Sequence, residues 1–400
     1  MQGRTTSWRP DLRIRHLVGA LVVLLAVLAG CGGSKKEPPK PSGPVTVWKH
    51  GDIAFGVLAP LSGAQSERGR DLVDGATFAA EDLNIRGGVL GKRATLVTKD
   101  DGCAAGSSRE SARTLAGQEL GGVLGGVCED AASAAARTLG EDLPFLVTSA
   151  NSPKIVDAKK TPTAYLTNGT PYQSALATAH FLVFQQSQRL ATISAGGKAA
   201  ETLTKQVLGL SSPVPKAVSE QHIEPSADLA QIARTALAAK PDSVYFAGPA
   251  ETSGKLVAAL RKAGFDGAYI ASSESESSGF LSAAGDAAND AFVITPASPQ
   301  NLPQAAAWTK RFTARFKRAP GRDAMLAYDA LRALAQAVTQ SGEIDPKRNS
   351  AELPRLAEGY GGFLGGLHFA HDHTVLFDSN IALTVSGGAF KLDNALRSQG

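Results

Sequence analysis

From residue 52 onward, short apolar runs alternate with longer stretches whose apolar positions recur every three or four residues. Ile53–Leu58 is almost unbroken by polar residues, which predicts a strand buried on both faces. From Gly69 to Ile85, residues Leu72, Ala76, Ala79, Ala80 and Leu83 share one face at helical spacing, and Gly87-Gly88 ends the helix. The pairing repeats, with strands predicted at Thr95–Thr98, Gly122–Gly125 and Pro144–Thr148 and helices at Ser107–Leu120 and Glu129–Gly140. Strands separated by helices of this length form right-handed βαβ units, hence a parallel sheet covered on both faces. A second copy of the pattern begins near Pro171. It predicts helices over Tyr172–Gln186, Ala199–Leu208, Leu229–Ala239 and Thr252–Ala263, and strands over Leu190–Ser194, Ala217–His222, Ser243–Ala247 and Ala268–Ala271. Two similar α/β lobes are therefore expected. The tail departs from the pattern, with helices at Pro303–Lys317 and Asp323–Gln340 and then a hairpin-like stretch from Leu367 to Leu392 around a Gly387-Gly388 turn.

Ahead of this alternation stands a different pattern. Arg4, Arg9, Arg13 and Arg15 precede the apolar run Leu17–Leu28, which is too short to remain in a bilayer as a spanning helix. A basic start, an apolar middle and small residues predict an export signal over residues 1–30. Leu28-Ala29-Gly30-Cys31 resembles the lipobox of bacterial lipoproteins. That resemblance implies an acylated Cys31 as the new N-terminus and anchoring at the extracytoplasmic face of the cell membrane, each buried methylene contributing about 0.8 kcal/mol. Residues 31–51 read as the lipidated cysteine and its tether, because the Gly-, Lys- and Pro-rich stretch 32–44 cannot build a core. Without residues 1–30 the net charge falls from +4 to +1, so a nucleic-acid footprint is not expected. Of three cysteines, Cys103 and Cys128 then remain as an even pair in an oxidising compartment. A disulfide between them is expected, the alternative being two free buried thiols.

Catalytic constellations are missing. The chain has no Gly-x-Ser-x-Gly elbow, no His-Glu-x-x-His and no Walker loop. Gly121, Gly122, Gly125 and Gly126 lack dinucleotide-binding spacing and are read as letting backbone and ligand approach closely at a strand end. His368, His371 and His373 around Asp372 are read as solvated turn residues rather than metal ligands. No cofactor, no metal and no enzymatic activity are expected.

Several motifs in order carry a family resemblance. They are Ala59-Pro60-Leu61-Ser62-Gly63, Gly69, Gly75-Ala76, and Asn84-x-x-Gly87-Gly88-Val89-x-Gly91-Lys92. Asp100-Asp101-Gly102-Cys103, Gly125-Gly126-Val127-Cys128, Thr148-Ser149-Ala150-Asn151-Ser152-Pro153, Asp242-Ser243-Val244-Tyr245-Phe246 and Tyr328-Asp329-Ala330 follow. From Asp52 to Leu392 the chain resembles the type I periplasmic binding proteins, specifically the Leu/Ile/Val-binding protein family of ABC importers. The resemblance implies two Rossmann-like three-layer lobes with parallel-sheet cores, joined by a three-crossover hinge that closes on a solute, a mode of closure known for this class. By analogy lobe 1 comprises residues 52–168 and 297–362, and lobe 2 comprises 169–296 and 363–397.

In open α/β sheets ligands lie beyond the carboxyl ends of the strands. The candidate ligand-binding residues there are Ser62, Arg68, Glu129, Ser149, Ala150, Asn151 and Glu274. Ser149-Ala150-Asn151 offers donors for a carboxylate, and Glu274 matches the family's ammonium-binding glutamate by position. Three departures are evident. Glu129 follows the second cysteine where relatives often have a serine, and either repels an anionic ligand group or caps its helix. Arg68 replaces an aromatic residue and is expected to pair with Glu129 or to bind an anionic group. The Ala195-Gly-Gly-Lys-Ala199 loop lacks the tyrosine that often closes the pocket. The expectation is a monomeric, membrane-tethered receptor that passes an amino acid or related small polar solute to ABC permease subunits. The alternative is a lipoprotein sensor or regulator of cell-wall enzymes on the same fold.

Overall fold

The computed structural model describes residues 51–393 apart from 225, 357–360, 364, 377 and 378. The signal, Cys31 and nearly all of the tether lie outside the described residues. The first lobe is built from β1 (Asp52–Ala59), α1 (Ser66–Ile85), β2 (Arg93–Asp100), α2 (Ala105–Ala116), β3 (Val123–Gly125), α3 (Glu129–Leu139), β4 (Phe145–Val147) and β5 (Ala164–Leu166). Its sheet runs β2-β1-β3-β4-β5, all parallel. The second contains α4 (Pro171–Phe184), β6 (Arg189–Ala195), α5 (Lys198–Ser211), β7 (Lys216–Ile223), α6 (Leu229–Ala238), β8 (Ser243–Ala247), α7 (Ala250–Lys262), β9 (Ala268–Ala271), α8 (Ser278–Ala284) and β10 (Phe292–Pro296). The chain then forms α9 (Ala306–Phe316), α10 (Arg322–Ser341) and α11 (Pro346–Glu352), and ends in β11 (Asn380–Ser386) and β12 (Ala389–Leu392). The second sheet runs β12-β11-β10-β9-β8-β6-β7, parallel except where β11 joins β10 and β12.

The predicted alternation gives two α/β lobes with mostly parallel sheets, and the differences are local. The short strands β5 and β10 were not anticipated, nor were the seven-residue helices α8 and α11. The hairpin is confined to β11 and β12, closed at Ser386 and Ala389 around Gly387-Gly388, whereas Phe369 and Val375 make only an isolated bridge.

Helix α10 returns to pack on α1 in the first lobe. Gly75 allows this, since a Cβ there would stand 2.1 Å from the Ala324 carbonyl oxygen. Asp71 receives the N–H groups of Gly321 at 2.9 Å and Ala324 at 2.8 Å, satisfying orphan donors at the start of α10. Phe78 sits among Trp308, Phe312, Phe316 and Tyr328. The four glycines 121, 122, 125 and 126 correct an expectation: protein, not ligand, occupies the space they leave. A Cβ on Gly125 would lie 1.9 Å from the Leu58 oxygen, and one on Gly126 would lie 2.9 Å from Ala132.

Cys103 and Cys128 form the expected disulfide, with Cα atoms 5.3 Å apart, joining the segments that follow β2 and β3. Closing a 25-residue separation stabilises by roughly 3 kcal/mol in the chain-entropy view. The Cys103→Ser, Cys128→Ser double variant is expected to lose about that much in urea unfolding; a loss under about 0.5 kcal/mol removes the bridge from the list of stabilising features.

Asp329 on α10 is buried, and desolvation pushes its carboxyl up to about 7. The Phe363 N–H at 2.7 Å and the long contact to Arg332 at 3.7 Å oppose that shift without cancelling it. A raised carboxyl binds more protons in the folded state than in the unfolded chain. Its contribution is therefore complete below about pH 4 and is lost as pH rises through about 7. Relative to the parent, Asp329→Asn is expected to gain about 2 kcal/mol between pH 5 and pH 8 in urea unfolding. Parallel profiles for the two proteins dispose of the idea.

Candidate functional site

In each sheet the strand order reverses about its first strand, β1 in one lobe and β6 in the other. Connections leave such a switch point in opposite directions and open a crevice beyond the strand ends. A cavity of about 200 Å³ occupies this position in the second lobe. Ala247 and Gly248 at the end of β8 and Ser272, Ser273 and Glu274 after β9 form its mouth, joined by Asn151 from the first lobe. Gly248 is required there: a Cβ would lie 2.6 Å from the Ala195 carbonyl, and its φ is +148°.

Another wall comes from the N-terminal halves of α4 and α5. Thr170 caps α4 with a reciprocal box to Gln173, which fixes the direction in which Ser174 and Thr178 project. Ala199, Ala200 and Leu203 of α5 and Ile294 of β10 supply apolar surface. Tyr245 of β8 completes the lining with a side chain that is 1 % exposed. Burial drives its phenol well above the usual range; the neighbouring Thr178 hydroxyl works against this and the charge of Glu274 adds to it. Tyr245 is neutral at any physiological pH.

Of the residues singled out in the sequence, Asn151 and Glu274 line this cavity. Ser62 is exposed and its hydroxyl donates to Asp100 at 2.7 Å. Ser149 lies 3.3 Å from the Thr148 hydroxyl, and its carbonyl accepts from Asn168 at 2.7 Å. The Ala150 N–H donates to Gly126 O at 2.9 Å and so is committed to the backbone. Arg68 pairs with Asp323 rather than with Glu129. It grips Asp323 with two bonds of 2.8 and 3.0 Å, a partner 255 positions away. Glu129 is exposed in the first turn of α3, where the helix dipole favours a negative charge. Ser174, Thr178, Leu203, Tyr245 and Ile294 were missed. The one signal for them was the absence of a tyrosine from the Ala195–Ala199 loop.

His373 stacks on Tyr165 with centroids 4.3 Å apart, and its Nδ1 lies 3.0 Å from Ala164 O. Among the described residues, no group of three or more His, Cys, Asp or Glu is placed to hold a metal, and no helix is long and apolar enough to cross a membrane.

Between the lobes the chain passes three times, and Arg322 at the start of α10 touches each passage. Its guanidinium donates to Asn168 Oδ1 at 2.7 Å, to Ala297 O at 3.3 Å and to Ser379 Oγ at 3.3 Å. Glu276, held by the Thr295 hydroxyl at 2.6 Å and by Asn301 at 3.2 Å, lends it favourable charge from the second lobe.

Comparison with known proteins agrees with this architecture. Residues 52–389 match the family model described as periplasmic binding protein. The Leu/Ile/Val-binding protein BraC3 of Rhizobium johnstonii is 23% identical over 301 residues, covering 74% of this chain and 81% of that protein. Among solved structures, one provisionally assigned to a branched-chain amino acid ABC transporter of Rhodospirillum rubrum superposes with a TM-score of 0.77 at 21% identity. It covers 86% of this chain and 100% of that one. An ABC transporter substrate-binding protein from Desulfitobacterium hafniense, in complex with Leu, superposes with a TM-score of 0.67 at 19% identity, covering 86% and 100%.

Proposed function

The chain belongs to the periplasmic binding protein family, and from that premise we propose that it is the solute receptor of an ABC importer. It binds an amino acid or related small polar solute in the interlobe cleft, closes by hinge motion, and delivers the solute to permease subunits without chemistry of its own. The lobes are taken as residues 52–168 plus 297–362 and 169–296 plus 363–397. A lipid on Cys31 holds the monomer at the extracytoplasmic face, with residues 31–51 as tether once the signal 1–30 is removed.

The observation that supports the reading is the cavity beyond the strand ends, with a carboxylate, Glu274, at its mouth and Asn151 facing it from the other lobe. Names of relatives point the same way: one is a Leu/Ile/Val-binding protein and one was solved with Leu. Within the site Glu274 is assigned to the solute's ammonium, and Asn151 with the adjacent Ser149 hydroxyl to the side that meets its carboxylate, the Ala150 N–H being taken by Gly126. Ser62 and Glu129 are exposed and free to meet solute on the first lobe, while Arg68 is held by Asp323.

The test is thermal. A solute at 100 times its Kd stabilises by about 2.7 kcal/mol, which raises Tm by several degrees. One or more amino acids in a panel of the twenty should do so with purified residues 32–400. A flat panel, with no small molecule co-purifying by mass spectrometry, overturns the assignment. Anchoring is tested separately: labelled palmitate should be incorporated by the full chain and not by Cys31→Ala, and equal labelling of both excludes Cys31 as the acceptor.

A further inference from the structure

The cavity continues past the cleft, and that extension narrows the class of solute; the inference rests on the receptor reading above. Pro171, Ser174 and Thr178 lie along one side of α4, so the lining reaches about 10 Å from the helix start at 1.5 Å per residue. Opposite stands α5, whose contribution is Ala199, Ala200 and Leu203. Two adjacent alanines leave open the space that a large side chain would fill. The result is a slot between the two helices, roofed by Tyr245 and Ile294 of the sheet.

The chemistry of the slot is one-sided. Beyond Glu274 at the mouth, every lining side chain is uncharged. Two of its polar groups are hydroxyls on buried residues, Thr178 and Tyr245, each 1 % exposed. The Thr178 hydroxyl donates to the Ser174 carbonyl at 2.9 Å, so its hydrogen is already used. The Thr178 oxygen remains an acceptor on the cavity wall, with the Tyr245 phenol as its neighbour. A ligand group that ends here must be neutral, because no charge compensates a buried ion, and must donate a hydrogen bond.

We infer that the solute's side chain enters this slot in the second lobe, and that the preferred solute is an amino acid whose long, apolar, uncharged side chain ends in a hydrogen-bond donor, such as a phenol. Short aliphatic side chains bring no donor to the Thr178 oxygen, and carboxylate or ammonium tips are excluded by desolvation.

The experiment compares L-tyrosine, L-phenylalanine and L-alanine by calorimetry on residues 32–400. L-Tyrosine should bind at least tenfold tighter than L-phenylalanine and tighter still than L-alanine. Ala200→Phe fills the slot and should lower the tyrosine-to-alanine affinity ratio at least tenfold. Thr178→Val keeps shape and removes a hydroxyl, so it should lower the tyrosine-to-phenylalanine ratio about tenfold, which keeps the test open should Ala200→Phe not fold. Equal affinities for tyrosine and phenylalanine in the parent, or ratios untouched by both variants, overturn the slot while leaving the receptor reading intact. Failure of all amino acids to bind, with no small molecule co-purifying, removes both.

Discussion

Replacing Glu274 by glutamine is expected to weaken an ammonium-bearing solute about a thousandfold, close to 4 kcal/mol. The substitution keeps the shape and one hydrogen bond and removes only the charge. In the unliganded protein Glu274 is exposed at the cavity mouth, so water solvates it and folding does not depend on it. Once a solute fills the cavity that water is displaced, and an ammonium without its counter-charge then carries most of its desolvation penalty. The loss should therefore appear in Kd and not in Tm without ligand. An affinity within threefold of the parent, measured by calorimetry with whichever amino acid stabilises the parent, takes Glu274 out of the binding site.

The second large effect concerns the hinge. Arg322→Met is expected to destabilise the protein by about 4 kcal/mol in urea unfolding. Desolvation lowers the guanidinium to about 10, against the favourable charges of Asp323 and Glu276, so it remains charged at neutral pH. Its three bonds reach Asn168, Ala297 and Ser379, each on a different passage between the lobes. Hydrogen bonds from a charged donor contribute about 1.5–3 kcal/mol each, and methionine replaces none of them. Glu276 also loses positive charge directed at it from α10. Because the same group ties all three passages, the variant should change the open–closed equilibrium too, read as a shifted radius of gyration in solution scattering with and without solute. Stability within about 0.5 kcal/mol of the parent, with an unchanged scattering profile, refutes a hinge role for Arg322.

Much of the fold was legible because its signals are local. Continuous apolar runs such as Ile53–Leu58 mark strands covered on both faces, and the Leu72, Ala76, Ala79 stripe marks a buried face of α1. Four short elements were not. β5 has three residues, β10 ends on a proline, and α8 and α11 have seven residues each; periodicity has too few positions there to declare itself. The glycines after residue 120 show a subtler failure. Their need for close approach was readable, but not whether ligand or Leu58 would do the approaching.

The candidate site divides along the same line. Residue order alone determined the two-lobed α/β plan, the Cys103–Cys128 bridge and the positions of Asn151 and Glu274 beyond strand ends, because each follows from short-range pattern or from spacing that topology preserves. Tertiary structure alone decided that Arg68 is claimed by Asp323, that Arg322 gathers three distant passages, and that Tyr245, by pattern one more residue of a buried strand, looks into a cavity. Partners more than 150 positions apart meet only after two sheets and their helices have packed. Which polar group a buried side chain finds is set by that packing, and no local pattern encodes it.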